Sequence, residues 1–280
     1  MEKKMDEKSI QKFREYLISE EKSEATVRKY VRDVEAFYKA YEKEESITRE
    51  IALQYKSMIA GKYQPASVNS MLASVNSYFR FMGWHDCAVK PLKMQRDIFC
   101  AEEKVLSREE YVQLLKTAVK KGKKRLALAM ETICASGIRV SELMYVTVEA
   151  VMKGSVTVKC KGKSRRIFLP HKLCLKLKQY IKEMKIEKGS IFITKNGKPL
   201  DRSNIWAQMK ALSREAGIEP EKVFPHNLRH LFATLYYSME KDIAKLADIL
   251  GHSSINTTRI YIRTSGIEHR RQLEQLSLII

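Results

Sequence analysis

Apolar residues in this chain recur every three or four positions, in discrete blocks. This period constrains the fold more than any other feature, because it commits most of the backbone to amphipathic helices. Over the first eighty-odd residues it predicts four. Ile10, Phe13 and Leu17 form a short stripe, and Val27, Tyr30, Val31, Val34, Phe37, Tyr38 and Tyr41 a longer one that Ser23 can cap. Thr48 can cap a third helix ending near Gly61. The fourth runs from about Pro65 to Met82, with Val68, Met71, Leu72, Val75, Tyr78, Phe79 and Met82 on one face and Gly83 as its stop. Stripes of this width pack into a small helical bundle.

The period lapses over residues 84–104, where Pro91 and mixed charge read as a linker. It restarts at "LSREEYVQLL", in which Ser107 and Glu110 have capping-box spacing. We therefore expect a domain boundary near residue 100, with a helical domain over 1–100 and a second domain over 101–280. At 280 residues the chain is long enough for two domains with separate cores. Helices are expected at 108–120 and 124–135. At 155–169 the period changes to two: Val156, Val158 and Cys160 alternate with Thr157 and Lys159, which predicts a β-hairpin. A helix over Leu173 to Met184 follows, then "SIFI" as a short strand and a turn at Asn196-Gly197. Further helices are expected at 203–216, 226–239, 241–250, 254–264 and 267–277. The expected class is mainly α with a small antiparallel β-sheet.

Charge narrows the possible partners. There are 52 basic and 33 acidic side chains, a formal net charge of +19. Such an excess repels itself in a compact state and calls for a polyanion, and nucleic acid is favoured well above an anionic membrane surface because each neutralised phosphate releases counterions. No stretch is long and apolar enough to span a bilayer, so no membrane partner is expected. The opening "MEKKMDEKS" lacks the apolar segment of a signal peptide, and a cytoplasmic location is expected. The five cysteines, Cys87, Cys100, Cys134, Cys160 and Cys174, include no CxxC pair. That argues against a disulfide framework and a zinc-thiolate site, and for reduced thiols.

Four segments carry residues able to do chemistry. In "SGIRVSEL", Gly137 breaks a helix and Arg139 and Glu142 lie three apart, so an arginine near a helix start can hold a phosphate while a carboxylate fixes its posture. In "CKGKSRRIFLP", Lys161 and Lys163 flank Gly162 at a basic hairpin tip. In "FPHNLRHLFAT", Pro225 starts a helix and His226 and Arg229 share a face. His230 is one turn from His226, but Asn227 stands where a zinc helix of the HExxH type needs glutamate, so no metal is expected. In "GHSSINTTRIYIRTSG", Tyr261 has Thr257, Thr258, Thr264 and Ser265 at helical spacing, which predicts a wet, polar-facing tyrosine. Tyr236, with Phe232 and Met239 on its face, reads as buried. Tyr237, beside Ala233, Thr234 and Lys241, remains a rival to Tyr261.

Together these residue types suit attack on a phosphodiester. Arginines and histidines can offset charge on the non-bridging oxygens. A lysine can protonate a leaving alkoxide, and a phenol can act as nucleophile. No carboxylate cluster suited to Mg²⁺ is evident, which favours a metal-free transfer. A phosphotyrosine ester keeps much of the energy of the original bond, so DNA could be rejoined without ATP.

The ordered set "SGIRVSEL", "KGKSRR", "HNLRHLFAT" and "LGHSSINTTRIY" resembles the tyrosine recombinase (phage integrase) family, especially its compact Xer-like members, over nearly the whole chain. The resemblance implies an N-terminal helical core-binding bundle and a mixed α/β catalytic domain that clamp a duplex between them. It implies that Arg139 and Arg229 hold the scissile phosphate and that Lys161, which aligns better than Lys163, is the general acid for the 5′ hydroxyl. His226 and His252 would assist by hydrogen bonding and proton transfer, Tyr261 would form a 3′-phosphotyrosyl link, and Glu142 would be the supporting acidic residue. No cofactor is implied. The implied partners are double-stranded DNA with an inverted-repeat core site and further copies of the chain in a homotetramer, alone or with a related recombinase. The tail "IEHRRQLEQLSLII" ends in apolar residues and would form the exchange helix that packs on a neighbouring protomer. Two other readings stay open on the residues: a DNA-binding regulator without strand exchange, and a type IB topoisomerase.

Overall fold

The computed structural model of the chain describes residues 3–94, 105–160, 163–194, 196–261 and 274. The chain divides into two compact units, Met1–Arg96 and Asp97–Ile280.

The first unit contains the four expected helices: α1 (Glu7–Ser19), α2 (Glu24–Ala40), α3 (Arg49–Ala60) and α4 (Pro65–Phe81). Their starts follow local chemistry. Asp6, Ser23 and Thr48 accept backbone N–H groups at the N-termini of α1, α2 and α3, and Pro65 opens α4, where its missing N–H costs nothing. The apolar stripes meet in a core rich in aromatics. Phe37 meets Tyr55 edge-on at 4.9 Å between ring centres, and Phe13 meets Tyr78 at 5.4 Å. The aperiodic stretch after α4 packs on this core as far as Leu92, with Trp84, Cys87 and Val89 buried. The enclosed Asp33, 3% exposed, takes Lys29 at 2.8 Å and the Ser74 hydroxyl at 3.0 Å.

The second unit is built around α6 (Lys124–Ser136), which is buried along most of its length between α5 (Arg108–Lys120), α8 (His171–Glu183), α9 (Arg202–Glu215) and α10 (Pro225–Glu240). A capping box of Ser107 and Glu110 opens α5. After α6 come a 3-10 turn (Val140–Tyr145), the short α7 (Val148–Lys153) and an antiparallel hairpin, β1 (Ser155–Cys160) with β2 (Lys163–Phe168), which pairs Val158 with Arg165. The hairpin lays Val156, Val158 and Ile167 against the core. Beyond α10 the chain turns into α11 (Ile243–Leu250), then α12 (Ile255–Thr258) and a last 3-10 turn, Arg259–Tyr261.

Three local expectations are corrected. "SIFI" is not a strand: Ser190 and Ile193 make single bridges, to Thr147 and Pro199, because among the described residues no strand runs alongside. Arg139 and Glu142 do not sit on an α-helix; Arg139 is extended and precedes the 3-10 turn that holds Glu142. The helix expected over 254–264 is an α-turn that tightens to 3-10 by Arg259. Residues 262–264 and the helix expected at 267–277, apart from Glu274, lie outside the described residues.

A cleft lined by three arginines, two histidines and a tyrosine

Four chain reversals bring the expected site together. Gly137 ends α6 in the left-handed region, at φ +64°. This turn releases Arg139 into the space between α10 and the segment after α11. Only glycine fits there, since a Cβ would sit 2.6 Å from the Phe232 ring. Pro225 opens α10, so His226 and Arg229 emerge within its first two turns. Gly251, at φ +64°, ends α11 and turns the chain toward His252. Beyond it, the short α12 and its 3-10 extension carry Tyr261 back across α10.

Arg139, His226, Arg229, His252 and Tyr261 line a single cleft of about 680 Å³. Arg229 is 2% exposed. It donates to the carbonyl of Gly137, to that of Leu250 at 2.6 Å, and to His252 Nε2 at 3.1 Å, and its guanidinium also reaches the Tyr261 phenol. Arg139 is held through Glu142: one carboxylate oxygen accepts its Nη1 at 3.0 Å and the other its backbone N–H at 2.8 Å. Glu142 is buried, so its charge depends on these partners. Lys161, the expected general acid, lies outside the described residues.

The local field disfavours further positive charge. Burial, followed by the adjacent Arg139, brings the Arg229 guanidinium down to about 10, which leaves it charged at neutral pH. Burial and then Arg229, Arg139 and Arg165 pull His252 down to about 4. Loss of hydration, with Arg229, Arg202 and Arg139 nearby, also lowers His226. His252 is therefore neutral near pH 7. Arginine offers no lone pair, so Nε2 of His252 accepts from Arg229, and Nδ1 carries the proton and donates to Thr258 Oγ1 at 2.9 Å. The cleft combines three guanidinium groups, of Arg139, Arg202 and Arg229, with neutral imidazoles and a phenol. That set can bind a dianionic or monoanionic oxyester and present a hydroxyl to it.

The environment of Tyr261 departs from expectation. It is 3% exposed, not wet, and packs with Ala233, Leu246 and Leu250. Its sequence neighbours are polar, but the apolar contacts come from α10 and α11. Three imidazoles surround its ring: His230 edge-on at 5.1 Å, and His226 and His252 each at 5.9 Å, the last stacked. The rivals sit differently. Tyr236 is half-buried against Phe232 rather than enclosed, because Met239 is 82% exposed and gives no cover. Lys241 lies over the ring of Tyr237 at 5.6 Å. Neither tyrosine lines the cleft.

Sequence reasoning did not single out Arg165, Arg202, Trp206 or Thr258. Arg202 and Trp206 line the cleft from the start of α9. Arg165 reaches Glu142 at 2.6 Å from the hairpin. The only signal for Arg165 was period two: on β2 it lies two residues from the buried Ile167, on the inward face.

Comparison with known proteins gives the family of the chain. Residues 104–266 match the phage integrase family, and residues 10–85 match the phage integrase N-terminal SAM-like domain. The chain belongs to the phage integrase family. Among curated integrase relatives it is 31% identical to tyrosine recombinase XerA of Pyrococcus furiosus, over 99% of this chain and 97% of that protein. It is 29% identical to tyrosine recombinase XerD of Listeria innocua, over 92% of this chain and 94% of that protein. A lambda integrase tetramer bound to a Holliday junction shares the integrase fold, with a TM-score of 0.73 at 18% identity, covering 91% of this chain and 76% of that one. By family the chain is a tyrosine recombinase, an enzyme of site-specific recombination.

Proposed function

We propose that this recombinase cuts and rejoins double-stranded DNA with Tyr261 as its nucleophile and Arg139 and Arg229 as its phosphate clamp. The observation that carries the reading is that one cleft gathers both arginines, His226, His252 and Tyr261 from four separate segments. The Tyr261 phenol passes its proton to a neutral imidazole of the cleft as its oxygen attacks the scissile phosphorus and the bond to the 5′ oxygen breaks. Lys161 gives that oxygen its proton, leaving a 3′-phosphotyrosyl ester and a free 5′ hydroxyl. The two guanidinium groups offset the charge gathering on the non-bridging oxygens, usually the largest catalytic contribution in such a transfer. A phosphate entering the cleft competes for the Arg229 N–H that His252 Nε2 now accepts, which frees that nitrogen to receive the phenol proton and then to donate to a phosphate oxygen. Glu142 keeps Arg139 in posture. The reverse attack, by a 5′ hydroxyl of another strand, rejoins the DNA with no net bond lost.

The N-terminal unit serves as the core-binding half of a clamp and the second unit as its catalytic half. Four copies on two inverted-repeat core sites, alone or with a related recombinase, exchange one strand pair and then resolve the Holliday junction with the second. The net charge of +19 supports a polyanionic partner, and no described helix is long and apolar enough to cross a membrane. A cytoplasmic location fits this activity.

A nicked suicide duplex carrying the core site tests the reading. Wild type should form a covalent adduct without added metal, and Tyr261→Phe should form none. No adduct with wild type points to a regulator that only binds. Relaxation of plasmids lacking the site points to a topoisomerase.

A further inference from the structure

Arg165 makes contacts that a surface salt bridge does not. Its side chain is 15% exposed. One terminal nitrogen donates at 2.6 Å to the Glu142 oxygen that also accepts the Arg139 backbone N–H. The other donates to the Leu250 carbonyl, which also accepts Arg229 Nη2 at 2.6 Å. The next residue is Gly251, whose carbonyl lies 3.5 Å from Arg139 Nη2. A Cβ on Gly251 would come within 2.6 Å of Arg165 Cδ, so the turn before His252 accommodates this guanidinium only as glycine. A single side chain from β2 thus touches the carboxylate that holds Arg139 and the carbonyl that holds Arg229.

We infer that Arg165 is a positioning residue for the phosphate clamp, setting the separation and aim of Arg139 and Arg229 without touching the phosphate. The inference rests on the proposed roles of those two arginines. Its physical basis is charge balance. Arg139 and Arg165 share the Glu142 carboxylate, while Arg229 is held by the Gly137 and Leu250 carbonyls, so the two clamp arginines repel each other and fixed acceptors hold them together before DNA arrives. Arg165 orients two of those acceptors, the Glu142 carboxylate and the Leu250 carbonyl. Without it, Glu142 is tied down on one side only, and Leu250 loses one of two donors. Arg139 then shifts relative to Arg229, and a displacement of that kind costs about 10- to 100-fold in rate.

The test compares Arg165→Met with wild type on two suicide duplexes, one with a normal scissile phosphodiester and one with a methylphosphonate there. Methylphosphonate lacks one anionic oxygen, so its transition state needs the paired guanidinium groups less. Arg165→Met should cleave the phosphodiester about 10- to 100-fold more slowly, with DNA affinity nearly unchanged. On methylphosphonate the defect should shrink to within about threefold of wild type. Arg165→Lys, which keeps the charge but cannot serve both acceptors, should fall between, and the same ratio is read on it if the methionine variant does not fold. Equal defects on both linkages, or none on either, would overturn the inference. Failure of wild type to form any adduct would instead overturn the nucleophile assignment, so the two ideas fail separately.

Discussion

Glu142 is the site's single buried carboxylate among the described residues lining or supporting the cleft, and replacing it with glutamine gives a quantitative test of the charge balance. Glutamine keeps the shape but removes the charge shared by Arg139 at 3.0 Å and Arg165 at 2.6 Å. Breaking a buried ion pair by removing one partner costs about 3–5 kcal/mol, and here two guanidinium groups are left facing Arg229 with no counter-charge. For a unit of this size, each kcal/mol lowers the melting temperature by about 2–4 °C. The transition of the second unit in Glu142→Gln should therefore fall by roughly 6–20 °C, measured by differential scanning calorimetry on the full chain. Sulfate should raise the variant's transition more than wild type's, because an anion replaces the missing charge. A fall of less than about 2 °C, or equal stabilisation of both proteins by sulfate, would refute the claim that Glu142 holds a self-repelling arginine cluster together.

Other outcomes follow from the same geometry. Gly137→Ala forces a Cβ into the Phe232 ring at positive φ and should destabilise the second unit by about 2–4 kcal/mol, read from denaturant unfolding. His252 should titrate near 4 by NMR, against an ordinary value of 6.5. Because its folded value is depressed, between those pH values the unfolded chain binds a proton that the folded chain does not. Its contribution to stability is thus complete above 6.5 and is lost as pH falls toward 4. A midpoint near 6.5 would mean that the arginines do not act on it. Deleting residues 268–280 should leave binding to one core site intact and impair recombination; undiminished recombination would count against tail exchange.

Local patterning carried the architecture. The caps at Ser23, Thr48 and Ser107, the stop at Gly137 and the alternation through β1 each depend on neighbours a few residues away, so they are legible from sequence. What was missed depends on contacts between distant segments. Tyr261 is enclosed by Ala233, Leu246 and Leu250, although every residue near it at helical spacing is polar. Arg165 is one of several cations in "KGKSRR", and only the approach of α11 to β2 separates it from them. "SIFI" has strand composition but no adjacent strand with which to pair. The site residues and the supporting Glu142 could be ordered by motif, while the support from Arg165 could not.

The central claim concerns which phenol meets the phosphate, and peptide mapping of the trapped DNA adduct tests it most directly. Trypsin separates the rivals: Tyr261 lies in IYIR, residues 260–263, and Tyr236 and Tyr237 share HLFATLYYSMEK, residues 230–241. Mass spectrometry should find the nucleotide on Tyr261. A nucleotide on Tyr236 or Tyr237 would contradict the assignment, since neither lines the cleft that holds the paired arginines.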